Sequence, residues 1–146
     1  MSSTVKEIVL KSIKTALHNT ISVDGETISY FTDYFGNKQN GIYLNIYQGD
    51  EDGCKTSFSQ NVRIELVIFG KGKTVDFVAE ITRKVMQALK ASVDATLTLN
   101  DGYKATYTKL PKVLSYTELE SGVTVHRDIL SVDIRVDEDQ TQFNNS

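Results

Sequence analysis

The sequence predicts an α+β fold, a mainly antiparallel twisted β-sheet with two α-helices packed on one face and a projecting β-hairpin. Two segments carry apolar residues at helical spacing, and most of the remaining chain alternates apolar and polar residues, as half-buried strands do. Short glycine-containing turns join several of these runs. We expect a single domain over residues 1–136, long enough to bury a core without a disulfide or metal, and a flexible acidic tail over residues 137–146.

Two helices are predicted from the periodic segments. The first runs from about Thr4 to Asn19, and its apolar face comprises Val5, Ile8, Val9, Ile13, Ala16 and Leu17. The second begins after Thr74, which is a suitable N-cap, and ends at about Ala91. Its predicted apolar stripe comprises Val75, Val78, Ala79, Thr82, Val85, Met86 and Leu89, with Phe77, Ile81 and Ala88 on the flanks.

The alternating segments predict the strands. In chain order they are Thr27–Phe31, Ile42–Tyr47, Ser57–Phe69, Ala95–Leu99, Tyr103–Leu110, Val113–Leu119 and Val123–Val136. Asp33–Gly41 and Gln48–Gly53 are predicted loops. At about 3.3 Å per residue, Ser57–Phe69 is long for a small domain. We therefore expect it to extend past the core as part of the projecting hairpin.

The net charge of −3 and the pI near 5.4 disfavour sequence-independent nucleic-acid binding, because such binding depends on Lys and Arg neutralising phosphates. A single cysteine, Cys54, cannot form an internal disulfide and fits a reducing compartment. The N-terminus shows no signal peptide, and no stretch has the roughly 18 apolar residues of a membrane span. These features predict a protein made and kept in a cytosol.

The residues that usually carry catalysis are isolated in this sequence. His18 and His126 lie in ordinary helix-end and strand contexts, and Cys54 lies in an acidic loop that would raise a thiol pKa. The stretch Gly70-Lys71-Gly72-Lys73-Thr74 lies between a strand and a helix but lacks the spacing of a phosphate-binding loop. We predict no catalytic residues, no cofactor and no enzyme activity.

Acidic clusters and aromatic residues leave two further possibilities. Asp50, Glu51 and Asp52 lack the spaced carboxylates of an EF-hand, so a solvated loop is preferred to a metal site. Tyr30, Phe31, Tyr34 and Phe35 are bunched together in and beside an irregular segment. They and the tyrosines on the second face of the sheet could be half-exposed residues or part of a protein–protein contact, in which tyrosine is enriched.

The stretch FSQNVRIELVIFGKGKTVDFVAEITRKVMQAL (Phe58 to Leu89) resembles the tail-terminator, or tail-completion, proteins of long-tailed bacteriophages. The leading helix, the Ile42–Tyr47 strand and the closing strand HRDILSVDIRV share this resemblance, which covers roughly Thr4 to Val136. It is a resemblance of element order, length and pattern. The segments Asn37–Gly41 and Asp50–Gly53 have no counterpart in the family pattern.

The resemblance implies a structural protein of the virion tail or neck, assembled in the host cytoplasm. In that family a small subunit forms a homo-oligomeric ring, usually a hexamer, at the head-proximal end of the tail tube. The ring ends tube polymerisation and joins the tail to the head connector. The implied partners are therefore further copies of the chain, the tail tube protein and the head–tail connector or neck protein, while DNA passes through the channel without specific binding. No membrane partner is implied.

The residues expected at interfaces follow from this implied role. They lie in the projecting parts of the two longest strands, the acidic loop and the aromatic group: Tyr30, Phe31, Tyr34, Phe35, Asp50, Glu51, Asp52, Phe58, Gln60, Arg63, His126 and Arg127. An alternative is another neck, head-completion or tail-tube protein of similar fold. A small enzyme or ligand-binding domain is a third hypothesis, against which stands the absence of any paired acid and base.

Overall fold

The computed structural model describes residues 5–31, 39–51, 59–90, 96–99 and 102–138. These ranges contain two helices, α1 (Val5–Leu17) and α2 (Val75–Ala88). The strands are β1 (Ser22–Val23), β2 (Glu26–Thr27), β3 (Tyr30–Phe31), β4 (Gly41–Glu51), β5 (Ser59–Lys71), β6 (Thr96–Thr98), β7 (Tyr103–Tyr107), β8 (Lys112–Glu120) and β9 (Val123–Glu138).

One sheet contains seven of these strands, in the order β3-β4-β5-β9-β7-β6, with β8 also paired to β9. All of its pairs are antiparallel except the short parallel pair β3–β4. The two longest strands, β5 and β9, lie side by side in the middle and pair from Ser59 opposite Asp137 to Lys71 opposite Val125. The predicted α+β fold is confirmed.

The main core lies between this sheet and the two helices. Ile8, Ile13 and Leu17 of α1 are fully buried and belong to one apolar cluster with Leu66 of β5 and Leu130 of β9. Residues of α2 join the same cluster, so both helices pack on one face of the sheet, as the sequence predicts. The burial of these large side chains provides most of the driving force for folding, at about 25 cal/mol for each Å² of apolar surface removed from water.

The apolar stripe of α1 is as predicted from Ile8 to Leu17, but that of α2 is rotated. Val75 is 58% exposed and Ala79 is exposed, while Phe77 and Ile81, which were assigned to the flanks, are buried. Thr74 caps the helix, as expected, by accepting a hydrogen bond from the Phe77 backbone N–H at 3.1 Å. The broad apolar surface of this helix allowed several rotations, and the contact with β5 and β9 selects the one that buries the two bulkier flanking residues.

A small hairpin that the sequence analysis did not predict precedes the main sheet. Its strands, β1 and β2, are joined by Asp24 and Gly25, both with positive φ, of 53° and 76°. Two such residues in succession form the type I′ turn that suits a two-residue hairpin. The predicted strand Thr27–Phe31 is consequently divided between β2 and β3.

β7 and β8 follow each other along the same side of β9, separated by a bulged segment. Tyr107 lies opposite Ile134, and pairing resumes with Lys112 opposite Ser131. The intervening residues include Pro111, which has no N–H to donate to a ladder. β6 pairs along the outer edge of β7.

Several predicted boundaries differ from the observed ones. β4 continues to Glu51 through part of the predicted loop Gln48–Gly53, because it pairs with the longer strand β5. β9 runs to Glu138, two residues beyond its predicted end. β5 is paired with β9 throughout its length. The tip that would form the projecting hairpin falls in residues 52–58, outside the described ranges, so that projection stays a prediction.

Candidate functional site

The predicted interface residues lie in separate places on the sheet. Asp50 and Glu51 are in the last part of β4, and Gln60 and Arg63 are in the first part of β5. Arg63 is exposed, and its Nε donates a hydrogen bond to Asp133 Oδ1 at 2.9 Å, which raises the Arg63 pKa. At this end of the sheet, Arg63 and Asp133 therefore form a partly exposed ion pair in which the two charges neutralise each other.

His126 and Arg127 lie at the other end of the sheet. They are opposite Gly70 and Phe69 in the β5–β9 ladder. Nine residues of β5 separate Gln60 from Phe69, which corresponds to about 30 Å. The fold therefore does not bring the two predicted groups together into one site.

The aromatic group divides in a similar way. Tyr30 is largely buried, and its hydroxyl has no hydrogen-bond partner among the described residues, so burial raises its pKa. Phe31 is half-buried and stacks on Tyr43, with ring centroids 4.9 Å apart. Tyr43, expected on the second sheet face, is also buried there. Four further predicted residues fall outside the described ranges: Tyr34, Phe35, Asp52 and Phe58.

A second apolar cluster occupies the sheet face opposite the helices. It contains Tyr43, Val67, Phe69 and Val125, with Phe31 and Ile129 packed against it. The Arg127 guanidinium lies 5.5 Å from the centre of the Phe69 ring, and its Nη1 is 3.0 Å from Glu118 Oε1. Such a cation over an aromatic face is attracted by the ring quadrupole. Arg127 thus connects β9 to β8 across this face.

β8 is the most exposed element among the described residues. Every residue from Lys112 to Leu119 is exposed, including Leu114 at 43%, Tyr116 at 47% and Leu119 at 74%. It pairs with β9 alone, so its outer edge is not covered by any described strand. The sequence gives no local signal for this exposure, because adjacent apolar residues such as Val113 and Leu114 by themselves favour burial on both faces of a strand.

A buried carboxylate links β8 and β9 to the second helix. Asp128 of β9 is 8% exposed, and both of its oxygens accept hydrogen bonds. The Thr82 hydroxyl of α2 lies 2.7 Å from Oδ2, and the Ser115 hydroxyl of β8 lies 2.7 Å from Oδ1. A buried charge is tolerated when it is hydrogen-bonded in this way. The contact fixes the position of the exposed strand relative to the core.

A second hydroxyl contact supports the same strand. Thr117 Oγ1 lies 3.0 Å from His126 Nδ1, directly across the β8–β9 ladder.

Within the described ranges, no group of three or more His, Cys, Asp or Glu residues could hold a metal ion. None of the described helices is long and apolar enough to cross a membrane. The distinctive surface of the described chain is therefore an exposed strand edge.

Comparison with known proteins finds a likeness in fold to solved structures. No protein-family model matches the chain, and no curated protein matches it. Among solved structures, a chain from "Virion of native gene transfer agent (GTA) particle" superposes with a TM-score of 0.57 at 18% sequence identity, covering 93% of this chain and 99% of that one. The likeness shows a shared fold. It extends over nearly the whole of both chains.

Proposed function

We propose that this chain is a structural protein of a phage-like virion, and specifically a tail terminator. In this role it forms a ring at the head-proximal end of the tail tube, ends tube polymerisation and joins the tail to the head connector. The observation that carries the virion assignment is the likeness in fold, over 93% of this chain, to a chain of the gene transfer agent virion. The more specific assignment rests on the resemblance in element order to the tail-terminator family.

The sheet face opposite the helices suits contact with passing DNA. Its arginines are paired with carboxylates, as Arg63 is with Asp133 and Arg135 is with Asp137, whose Oδ1 lies 3.1 Å from the Arg135 Nε. DNA is held by cations that are available to neutralise phosphates. Guanidinium groups that already have carboxylate partners would contribute little to holding a duplex.

The first test is the solution mass of the purified protein, measured by light scattering at several concentrations together with electron microscopy. A terminator is expected to form closed rings of one size, near six subunits. Tubes of variable length would instead indicate a tail-tube subunit. A monomer that stays a monomer when tail tubes are added would contradict the terminator role.

Deletion of the gene in its parent phage separates the remaining candidates. Loss of a terminator should give tail tubes of uncontrolled length that are detached from filled heads. Loss of a head-completion protein should leave tails of normal length and heads that lose DNA. Normal particles in the deletion strain would exclude both virion roles and favour a ligand-binding domain.

A pair of arginine variants tests the predicted interface at Arg63. Arg63→Ala and Arg83→Ala each remove an exposed guanidinium paired with one carboxylate, Asp133 or Glu80. Arg63 is at the predicted contact, whereas Arg83 is on the outer side of α2. We expect only Arg63→Ala to reduce the ring fraction. Equal behaviour of the two variants would remove Arg63 from the interface.

A further inference from the structure

The outer edge of β8 is suited to pairing with another strand. β6 covers the outer edge of β7, but no described strand continues that cover along β8. Natural edge strands are usually protected by charges, proline or bulges. Here the central residues Val113–Thr117 carry no charge and no proline, and they pair with β9 without a register shift. The exposed edge is therefore open to strand addition.

We propose that the occupant of this edge is β8 of a second copy of the chain, paired antiparallel about a two-fold axis at Tyr116. The strand is self-complementary in this register. Lys112 lies opposite Glu120 of the second copy at each end, and Tyr116 faces its own copy at the centre. Opposite charges and aromatic pairs directly across antiparallel strands are favourable.

The remaining pairs agree with the two faces of the strand. On the face that carries the helices, Val113 lies opposite Leu119, and Ser115 lies opposite Thr117 of the second copy. On the other face, Leu114 lies opposite Glu118, whose carboxylate is already held by Arg127. On the helix-bearing face the pairing therefore joins apolar side chains to each other and hydroxyls to each other, and on neither face does it place like charges across from one another.

The hydrogen-bonding pattern of β8 is compatible with this register. Ser121 and Gly122 both have positive φ, 50° and 79°, and form the two-residue turn between β8 and β9. In such a hairpin the closing pair, Glu120 and Val123, is hydrogen-bonded, and alternate residues along the strand then direct their backbone groups outward. The outward-facing residues are the odd-numbered ones, from Val113 to Leu119.

With the axis at Tyr116, these outward-facing residues pair with each other. Moving the axis to Ser115 would place Pro111 opposite Leu119 of the second copy. Proline has no N–H, so one ladder bond would be lost at each end. The axis at Tyr116 uses every outward backbone group between Val113 and Leu119.

This contact goes beyond the proposed function. The ring of a tail terminator is built from head-to-tail contacts, whereas an isologous contact about a two-fold axis joins two chains, or two rings, through the same surface. A ring without the β8 contact would overturn only this inference. A β8-linked dimer that never forms rings, with or without tail tubes, would overturn only the terminator assignment.

Single-cysteine crosslinking tests the contact, in a Cys54→Ser background. Tyr116→Cys should give a disulfide-linked dimer under mild oxidation, because directly opposite Cβ atoms are about 4.5–5.5 Å apart. Leu114→Cys alone should not crosslink, because its own copy lies about 13 Å away along the strand. A mixture of Leu114→Cys and Glu118→Cys should give the mixed dimer. Equal crosslinking of Tyr116→Cys and Leu114→Cys, or none in any variant, would overturn the proposal.

A charge variant tests the contact without oxidation. Tyr116→Lys replaces the facing aromatic pair with two like charges, and it should weaken dimerisation about tenfold in light-scattering titrations. Leu110→Lys is the matched control, because Leu110 is 75% exposed but lies before β8. Unchanged circular dichroism spectra would show that both variants fold. Equal dimer constants for the two variants would contradict the proposed edge.

Discussion

Replacing Thr82 with valine tests whether the buried Asp128 carboxylate depends on its link to α2. The Thr82 hydroxyl is 2.7 Å from Asp128 Oδ2 and 3.1 Å from the Val78 carbonyl oxygen. Thr82 is 5% exposed, so water cannot easily replace the lost donor. Valine keeps the shape of the side chain but removes its hydroxyl, which is the only hydrogen-bond donor that the Thr82 side chain has.

The expected loss follows from the charge of the acceptor. A hydrogen bond to a charged group contributes about 1.5–3 kcal/mol. Burial of the new methyl group returns about 0.8 kcal/mol. We therefore expect Thr82→Val to lower the free energy of unfolding by about 1–2 kcal/mol. Urea denaturation followed by circular dichroism measures this change, with an unchanged m-value showing that the two-state transition is retained.

Thr15→Val is the matched control. The Thr15 hydroxyl also donates to a carbonyl one turn earlier in its helix, that of Lys11 at 3.0 Å, but it is exposed and is not bonded to a carboxylate. This variant should change the free energy of unfolding by less than about 0.5 kcal/mol. If the two valine variants lose the same stability, or if Thr82→Val is as stable as the parent, the reasoning about Asp128 is wrong.

Three other predictions concern the stability of the sheet. A Cβ added at Gly70 would lie 2.6 Å from the Val78 Cγ2, so Gly70→Ala should lower the free energy of unfolding, measured by urea denaturation, by about 1–3 kcal/mol. The double variant with Val78→Ala should lose less stability than the sum of the two single variants. Strict additivity would refute the clash. Burial raises the pKa of Tyr107 from 10.0 to about 12. The tyrosine therefore ionises first in the unfolded chain, and the free energy of unfolding should fall as the pH rises from about 10 to 12. Tyr107→Phe should reduce that fall, and an identical pH profile in the variant would refute the assignment of the fall to Tyr107. Tyr43→Phe removes the hydroxyl that accepts a hydrogen bond from the Gln39 N–H at 2.7 Å and donates one to the Gln39 carbonyl at 2.6 Å. We expect faster hydrogen exchange of the Gln39 amide and a free energy of unfolding lower by about 1 kcal/mol. Unchanged amide exchange would contradict this prediction.

Much of the fold could be predicted because period and capping are local properties. The apolar residues of α1 recur at one helical angle, and Thr74 precedes α2 as an N-cap, so both helices were placed correctly. The alternation in β5 and β9 likewise identifies two strands and the face of each that packs against the helices. These features depend on neighbouring residues in the chain, which the sequence shows directly.

Features that depend on distant residues could not be predicted in the same way. The sequence left Tyr43 open between a half-exposed position and a protein–protein contact, but it is buried because Phe31 stacks on it and Phe69 packs in the same cluster, from parts of the chain that the periodicity does not connect. Alternation places Asp128 on the same face of β9 as the buried Leu130, but it does not show whether a carboxylate there has hydrogen-bonding partners. Its burial depends on Thr82 and Ser115, which only the tertiary fold brings to it.

The turn of the β1–β2 hairpin, but not its strands, could have been identified from the sequence. Asp24-Gly25 is a strong local turn signal, but each strand on either side has only two residues. Such short strands show too little alternation to predict a strand by themselves. The exposed edge of β8 is a different case, because which strand lies at a sheet edge depends on strand order.

The central position of β9 also constrains the order in which the chain acquires its structure during synthesis. β9 joins β5 to both β7 and β8, yet the ribosome makes it after all of them. Until β9 emerges, β5 has one unpaired side, and its apolar residues lack half of their sheet neighbours. Sheets closed by such long-range pairing fold slowly and expose apolar strands in the meantime. The yield of this protein in cells should therefore depend on chaperones that hold nascent chains until β9 has been translated.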